Sequence, residues 1–201
     1  MRIRQLVRAV LGGMMLLVPA SCAQSPALRP VATVPPGHIS PVDRVVLARY
    51  LPDLAKAHRN KTQLAFLARF KGLSAPVAKF NAAMDRQQGR LLGQLQAWAG
   101  RHHFNLQYHV PKSVRGDALR GQTQVDSHLL LMAGDSEFQH MYLVLMYTDF
   151  TWQVSLDRAM LPYATNHGLK AYLLSALAIN RASRRQIVKL LAQYHWTPAG
   201  H

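Results

Sequence analysis

This sequence contains few acidic side chains and almost no cysteine. It holds 9 Asp and Glu against 24 Lys and Arg, and 201 residues contain a single glutamate and a single cysteine. One cysteine excludes a disulfide-stapled scaffold, and a hydrophobic content of 49% excludes a disordered chain. No internal run reaches the roughly 18 apolar residues that a membrane span needs. The composition therefore predicts one basic globular domain that is stabilised by packing.

The first 23 residues have the three-part layout of a secretory signal. Arg2, Arg4 and Arg8 make the start positive, and the mostly apolar stretch 7–18 follows them. Small residues then precede a possible cleavage point, which is typical of export. Pro19 disfavours the alternative, a short amphipathic first helix that continues into the mature chain. We expect an exported bacterial protein that is periplasmic or anchored to a membrane as a lipoprotein.

Two interpretations of Cys22 stay open. Ala20-Ser21-Cys22 resembles the lipobox of bacterial lipoproteins, in which the cysteine is acylated, although Pro19 stands where leucine is usual. Ordinary cleavage after Ala23 would instead discard the cysteine. Residues 24–40 are rich in proline and predict a linker, so the folded domain is expected over residues 41–197.

Capping and breaking residues predict four long helices. These begin at Ser40-Pro41, Ser74-Ala75-Pro76, Gly134-Asp135-Ser136 and Asn166-His167-Gly168. Pro52 is expected to kink or divide the first helix, and Gly72, Gly100 and Pro162 are expected to end the first three. Apolar residues recur at helical spacing, among them Val42 and Val45 in the first helix. By the same spacing, Trp98, Met141 and Trp152 are expected in the core.

The segment 101–120 lacks such periodicity and predicts a crossover, followed by a short helix over residues 122–133. Two helices, a long connection and two more helices predict an all-α fold, a ferritin-like up-down four-helix bundle. Because the helices must bury their apolar stripes against one another, we expect an interior that is apolar and poor in acids.

The second half of the chain resembles a family of exported bacterial ferritin-like proteins of unknown function. The residues that carry the resemblance are Leu130-Leu131-Met132-Ala133-Gly134, Phe138, Tyr142, Met146-Tyr147-Thr148-Asp149 and Leu169-Lys170-Ala171-Tyr172. A fainter match in the first half runs through Pro76-Val77, Phe80 and Met84-Asp85, so the resemblance covers roughly residues 43 to 194. It implies a secreted helical bundle and no established reaction. Its helices usually read Met-x-x-Asp-His, with a further histidine in the last helix; here Gln88, Phe150 and Ser183 occupy the three histidine positions.

Metal chemistry has little support in the sequence. A di-iron bundle needs about four carboxylates and two Glu-x-x-His pairs. Glu137 and His140 form one such pair, and with Asp149 and Asp85 they would be the ligands in the alternative function, a ferritin-like metal-binding or redox protein with an atypical ligand set. Their simpler interpretation is a helix-capping carboxylate and a surface histidine. A second grouping, the loop residues His102, His103 and His109 with Asp117, lacks a regular ligand spacing. We therefore predict no metal and no cofactor, and no nucleophile elbow or phosphate loop suggests an enzyme.

The basic charge is the strongest functional signal. Loss of the first 21 residues would remove three arginines and no acid, which leaves 21 basic side chains against 9 acidic ones. Arg181, Arg184, Arg185 and Lys189 form a basic ridge on the last helix. The first helix carries a second basic set: Lys56, Arg59, Lys61, Arg69 and Lys71. We predict a non-enzymatic protein that binds or supports an anionic membrane surface or envelope polysaccharide; export and the absence of a recognition motif argue against nucleic acid.

Overall fold

The computed structural model describes residues 39–109, 130 and 132–193, which lie within one compact unit. This part of the chain forms four long helices and no strand. They are α1 (Pro41–Ala68), α2 (Ala75–Arg101), α3 (Asp135–Met160) and α4 (His167–Gln193). A 3-10 turn, Leu161–Tyr163, joins α3 to α4. The all-α bundle prediction is confirmed. The signal segment, Cys22, most of the linker and most of the 122–133 helix lie outside the described residues.

At α1 and α3, the predicted capping and breaking residues fit the helix ends. The Ser40 side chain accepts a hydrogen bond from the Asp43 backbone N–H at 3.0 Å, and Pro41 follows at the first helical position. Gly134 caps α3, whose first turn carries Asp135 and Glu137 at the positive end of the helix dipole. Pro162 lies just beyond the end of α3, as expected.

Two predicted helix ends are wrong, and one of the two outcomes predicted for Pro52 is excluded. Pro52 lies inside an unbroken α1 and does not divide it. α1 ends at Ala68, before Gly72, and α2 runs past Gly100 to Arg101. There His103 takes the left-handed conformation (φ 57°) and the Phe104 N–H reaches the Ala99 carbonyl at 2.9 Å, which is a Schellman-type ending without glycine.

Part of the predicted core is exposed. Trp152 is 49% exposed and Met141 is half-buried, whereas Trp98 is buried as expected. Val42 and Val45 are exposed too, because the buried face of α1 is formed by Leu47, Leu51, Leu54 and Ala55 instead. Helical spacing identifies a stripe, but it does not fix which edge of the stripe meets a neighbour.

Two apolar clusters occupy opposite ends of the bundle. One joins the first half of α1 and the last turns of α2 to the end of α3 and the start of α4. The other joins the end of α1 and the start of α2 to the first half of α3 and the end of α4. α1 packs against α2 and α3, and α4 packs against the same two helices. Neighbouring helices are therefore antiparallel, while α2 and α3 run in the same direction.

The end of α2 and the start of α3 consequently lie at opposite ends of the bundle, which agrees with a crossover between them. The described part of that connection runs along α1. Arg44 donates to the His102 carbonyl at 2.9 Å, Arg59 donates to the Leu106 carbonyl at 3.3 Å, and the Lys56 ammonium lies 3.9 Å from the Tyr108 ring centroid. None of the described helices is apolar over enough length to cross a membrane.

Candidate functional site

A buried polar layer separates the two apolar clusters, and all four helices contribute to it. Its side chains are at most 5% exposed: His58 and Lys61 from α1, Gln88 from α2, Gln153 and Asp157 from α3, and Asn180 and Ser183 from α4. The prediction of an apolar interior is therefore wrong. Buried polar groups destabilise a core unless they have partners, so the hydrogen bonds within the layer decide what it can do.

One continuous chain of hydrogen bonds crosses the layer. The Tyr172 hydroxyl lies 2.7 Å from His58 Nε2, and His58 Nδ1 lies 2.7 Å from Gln88 Oε1. Gln88 Nε2 donates to Asn180 Oδ1 at 3.1 Å, and Asn180 Nδ2 donates to Asp157 Oδ2 at 2.8 Å. Because Gln88 Oε1 can only accept, the proton of a neutral imidazole sits on Nδ1, and Tyr172 donates to Nε2. Every donor in the chain thus points from the phenol toward the carboxylate.

His58 is held in its neutral form. Burial lowers the pKa of His58 from 6.5 to about 4; its hydrogen bond with Gln88 acts in the opposite direction, and the charge of Lys61 adds to the lowering. Gln153 Nε2 lies 3.2 Å from both ring nitrogens, so the amide covers the imidazole. The neutral ring therefore serves as a donor on one side and an acceptor on the other.

Lys61 and Asp157 bring two ionisable groups into the same layer. Lys61 Nζ donates to the Ala57 carbonyl at 3.4 Å and lies 5.0 Å from the centroid of the Phe150 ring. Burial lowers the pKa of Lys61, while the charges of Asp149 and Asp157 oppose the change. Burial raises the pKa of Asp157 from 3.8 to about 7, against the hydrogen bond from Asn180 and the charge of Lys61. Lys61, which the sequence placed in a solvated basic set, is thus fully buried.

A second polar contact lies toward the end of the bundle where α2 begins. The Tyr142 hydroxyl donates to Asn81 Oδ1 at 2.6 Å, and Asn81 Nδ2 donates to the Ala65 carbonyl at 3.0 Å. Burial and the negative charge of Asp85 raise the pKa of Tyr142, so the phenol stays protonated. This contact ties α1, α2 and α3 together.

The four metal candidates from the sequence do not surround one point. Glu137 is exposed in the first turn of α3, and His140 is half-buried on the same helix. Asp85 pairs with Arg69, the residue that follows α1, and the half-buried Asp149 acts on Lys61. Over residues 39–109, 130 and 132–193, no group of three or more His, Cys, Asp or Glu side chains could hold a metal ion. In the loop grouping, His102 stacks on Trp98, His103 and His109 are exposed, and Asp117 lies outside the described residues.

The three positions at which the resemblance would place histidines are all buried. Gln88 belongs to the hydrogen-bond chain, Phe150 faces the Lys61 ammonium, and Ser183 is buried on α4. The departures noted in the sequence therefore mark the centre of the bundle. The sequence did not identify His58, Gln153 and Asn180 as members of the polar layer. The signal that could have found them is a polar side chain that interrupts the apolar stripe at the middle of each helix.

The basic ridge lies on the outside of α4. Arg185 and Lys189 are exposed, and Arg181 and Arg184 are half-buried. None of the four forms a hydrogen bond or an ion pair with any residue that the structure describes. α4 contains no acidic residue along its whole length. The ridge is therefore a surface of uncompensated positive charge.

Comparison with known proteins gives a fold and no activity. No protein-family model and no curated protein sequence matches the chain. A crystal structure described as a DUF305 fragment from Deinococcus radiodurans is similar, with a TM-score of 0.65 at 16% sequence identity, over 80% of this chain and 100% of that one. At this identity the similarity shows the fold alone. The chain is thus an all-α four-helix-bundle protein that shares its fold with a helical domain of unknown function.

Proposed function

We propose that this is an exported, ferritin-like bundle protein of the cell envelope that binds anionic groups through the basic ridge, without catalysing a reaction. The single observation that carries the proposal is α4: five Lys and Arg, no acid, and a ridge of four that has no ion-pair or hydrogen-bond partner among the described residues. Cationic side chains that no neighbouring carboxylate neutralises attract polyanionic surfaces, and a polyanionic surface stabilises them more than it stabilises cations that are already paired.

The chain as a whole has the same bias. Its net charge of +15 draws it toward anionic surfaces, and the N-terminal export signal would place it where lipid headgroups and acidic polymers are abundant. The envelope location and the ferritin-like assignment both rest on the sequence pattern.

Co-sedimentation of the full chain with phosphatidylglycerol vesicles, across a salt series, tests the proposal. We expect binding that weakens as salt rises, because salt screens exposed charges. Neutral phosphatidylcholine vesicles and a soluble anionic polysaccharide serve as the other two arms and separate a lipid from a polymer target. Binding to neither anionic arm, or binding that ignores salt, would refute the proposal.

Two charge-matched variants separate the ridge from net charge. The test variant replaces Arg181, Arg184, Arg185 and Lys189 by glutamine. The control variant replaces four exposed basic residues elsewhere by glutamine: Arg49, Lys79, Arg101 and Arg158. At about 1 kcal/mol per cation near an anionic surface, we expect the ridge variant to lose at least about a hundredfold in affinity. The control should lose far less; equal losses would mean that net charge alone governs binding.

A further inference from the structure

Two buried acceptor atoms in the polar layer have no hydrogen-bond partner. They are Gln153 Oε1 and Asp157 Oδ1, and both are closed off from solvent. The two residues are four positions apart on α3, so their side chains lie on the same face, one turn from each other. Buried oxygens without a partner are rare in folded proteins, and such atoms usually mark an ordered water or ion.

Lys61 supplies the complementary group. An ammonium has three N–H donors, and the one hydrogen bond of Lys61 is a long contact of 3.4 Å with the Ala57 carbonyl. Lys61 forms no direct ion pair with the carboxylates that the structure describes, although Asp149 and Asp157 both act on its charge. Its remaining donors therefore have no hydrogen-bond partner among the described residues, and they are buried in the same layer as the two acceptors.

We propose that one water molecule is bound at the centre of the bundle, accepting a hydrogen bond from Lys61 Nζ and donating to Gln153 Oε1 and Asp157 Oδ1. Water has two donors and two acceptor sites, which matches three partners, and buried waters typically make about three hydrogen bonds. A metal cation would be repelled by the ammonium. A halide ion would be disfavoured beside the two oxygen acceptors, because it has no proton to donate to them. A neutral guest that both donates and accepts is what the three groups select.

The water has a consequence for the layer. It links α1 to α3 at the point where the chain of direct hydrogen bonds ends on Asp157. It also gives Asp157 a partner in both protonation states, because a water molecule can turn and accept the carboxyl proton. The direct hydrogen bonds already join all four helices, so the water adds Lys61 to the same connected network.

Crystal structures of the full chain, at a resolution that shows ordered water, test the site. We expect a density peak at hydrogen-bond distance, about 2.7 to 3.2 Å, from all three atoms. The variant Asp157→Asn should keep the peak, since an amide can still hydrogen bond to water, whereas Asp157→Leu should lose it. A direct Lys61–Asp157 contact without a peak in the wild-type protein would overturn the proposal, as would a peak that survives in Asp157→Leu.

A measurement in solution keeps the proposal testable if a variant does not fold. In wild-type protein with ¹⁵N-labelled glutamine, the side-chain amide protons of Gln153 should show a nuclear Overhauser contact to water. The comparison is Gln88, which is buried like Gln153 and whose side-chain amide donates to Asn180. Gln87 on α2 is only half-buried and does not match Gln153 in burial. We expect a stronger water contact at Gln153 than at Gln88. No contact at Gln153 would contradict a bound water.

Discussion

Three ionisable side chains in one buried layer respond to burial in different ways. Burial lowers the pKa of His58 and of Lys61 and raises the pKa of Asp157, so each group is driven toward its neutral form. The residues also act on one another, since the positive charge of Lys61 lowers the pKa of both His58 and Asp157. The charge of Lys61 therefore affects the protonation of both other groups.

The variant Lys61→Met tests this coupling. Methionine keeps most of the side-chain volume but removes the charge that favours the carboxylate, so we expect the pKa of Asp157 to rise above about 7. The measurement is an NMR titration of the Asp157 carboxyl carbon. Lys56→Met is the matched control, because Lys56 is only half-buried and lies over Tyr108, outside the layer. A pKa that falls in Lys61→Met, or that shifts equally in the control, would contradict the coupling.

At the scale of the helix, local signals made the elements predictable but could not identify the polar layer. Ser40-Pro41 and Gly134 affect only the few residues that follow them, and in the structure they cap α1 and α3. His58 and Gln88 are 30 positions apart, and Gln88 and Asn180 are 92 apart. A polar side chain beside an apolar stripe is equally compatible with a solvated edge, so only the packing of distant helices shows that it is buried.

The N-terminus of α4 shows how one such contact strengthens a local cap. Asn166 Oδ1 accepts from the Gly168 and Leu169 backbone N–H groups at 2.9 and 3.2 Å, and from Trp98 Nε1 at 3.0 Å. The same oxygen therefore caps α4 and satisfies a buried indole of α2.

Asn166→Ala is consequently expected to destabilise the protein more than the loss of an ordinary cap. We expect about 2 kcal/mol or more for Asn166→Ala, because the Trp98 indole is left buried without an acceptor. Ser40→Ala, which removes a single capping bond on α1, should cost about 1 kcal/mol. Urea denaturation of both variants checks the difference. Equal losses would mean that the Trp98 contact contributes nothing to stability.

For the whole molecule, the polar layer divides one bundle into two apolar halves. Each half contains buried residues from every helix, so neither forms a separate domain. Sliding one helix along another would break hydrogen bonds that join α1 to α2, α2 to α4 and α4 to α3. Since buried groups that lose partners are strongly destabilising, the layer fixes the axial register of the four helices.

The layer also governs how the stability of the whole protein depends on pH. The pKa of His58 is about 4 in the folded protein and 6.5 ordinarily, so its contribution to stability is lost as pH falls from 6.5 to 4. The pKa of Asp157 is about 7 in the folded protein and 3.8 ordinarily, so its contribution is lost as pH rises from 3.8 to 7. The two dependences oppose each other over most of this range.

Removing either group should therefore change how the stability of the protein depends on pH. Relative to wild type, the stability of His58→Gln should fall as pH rises from about 4 to 6.5, by on the order of 3 kcal/mol, because the variant lacks the gain in stability that His58 contributes over this range. Relative to wild type, the stability of Asp157→Asn should fall as pH drops from about 7 to 4, by on the order of 4 kcal/mol, because the variant lacks the gain in stability that Asp157 contributes as pH drops. Lys61 is retained in both variants, so its own response largely cancels in the comparison. Denaturant unfolding at several pH values measures both differences, and two variants that run parallel to wild type would show that the layer does not couple protons to folding.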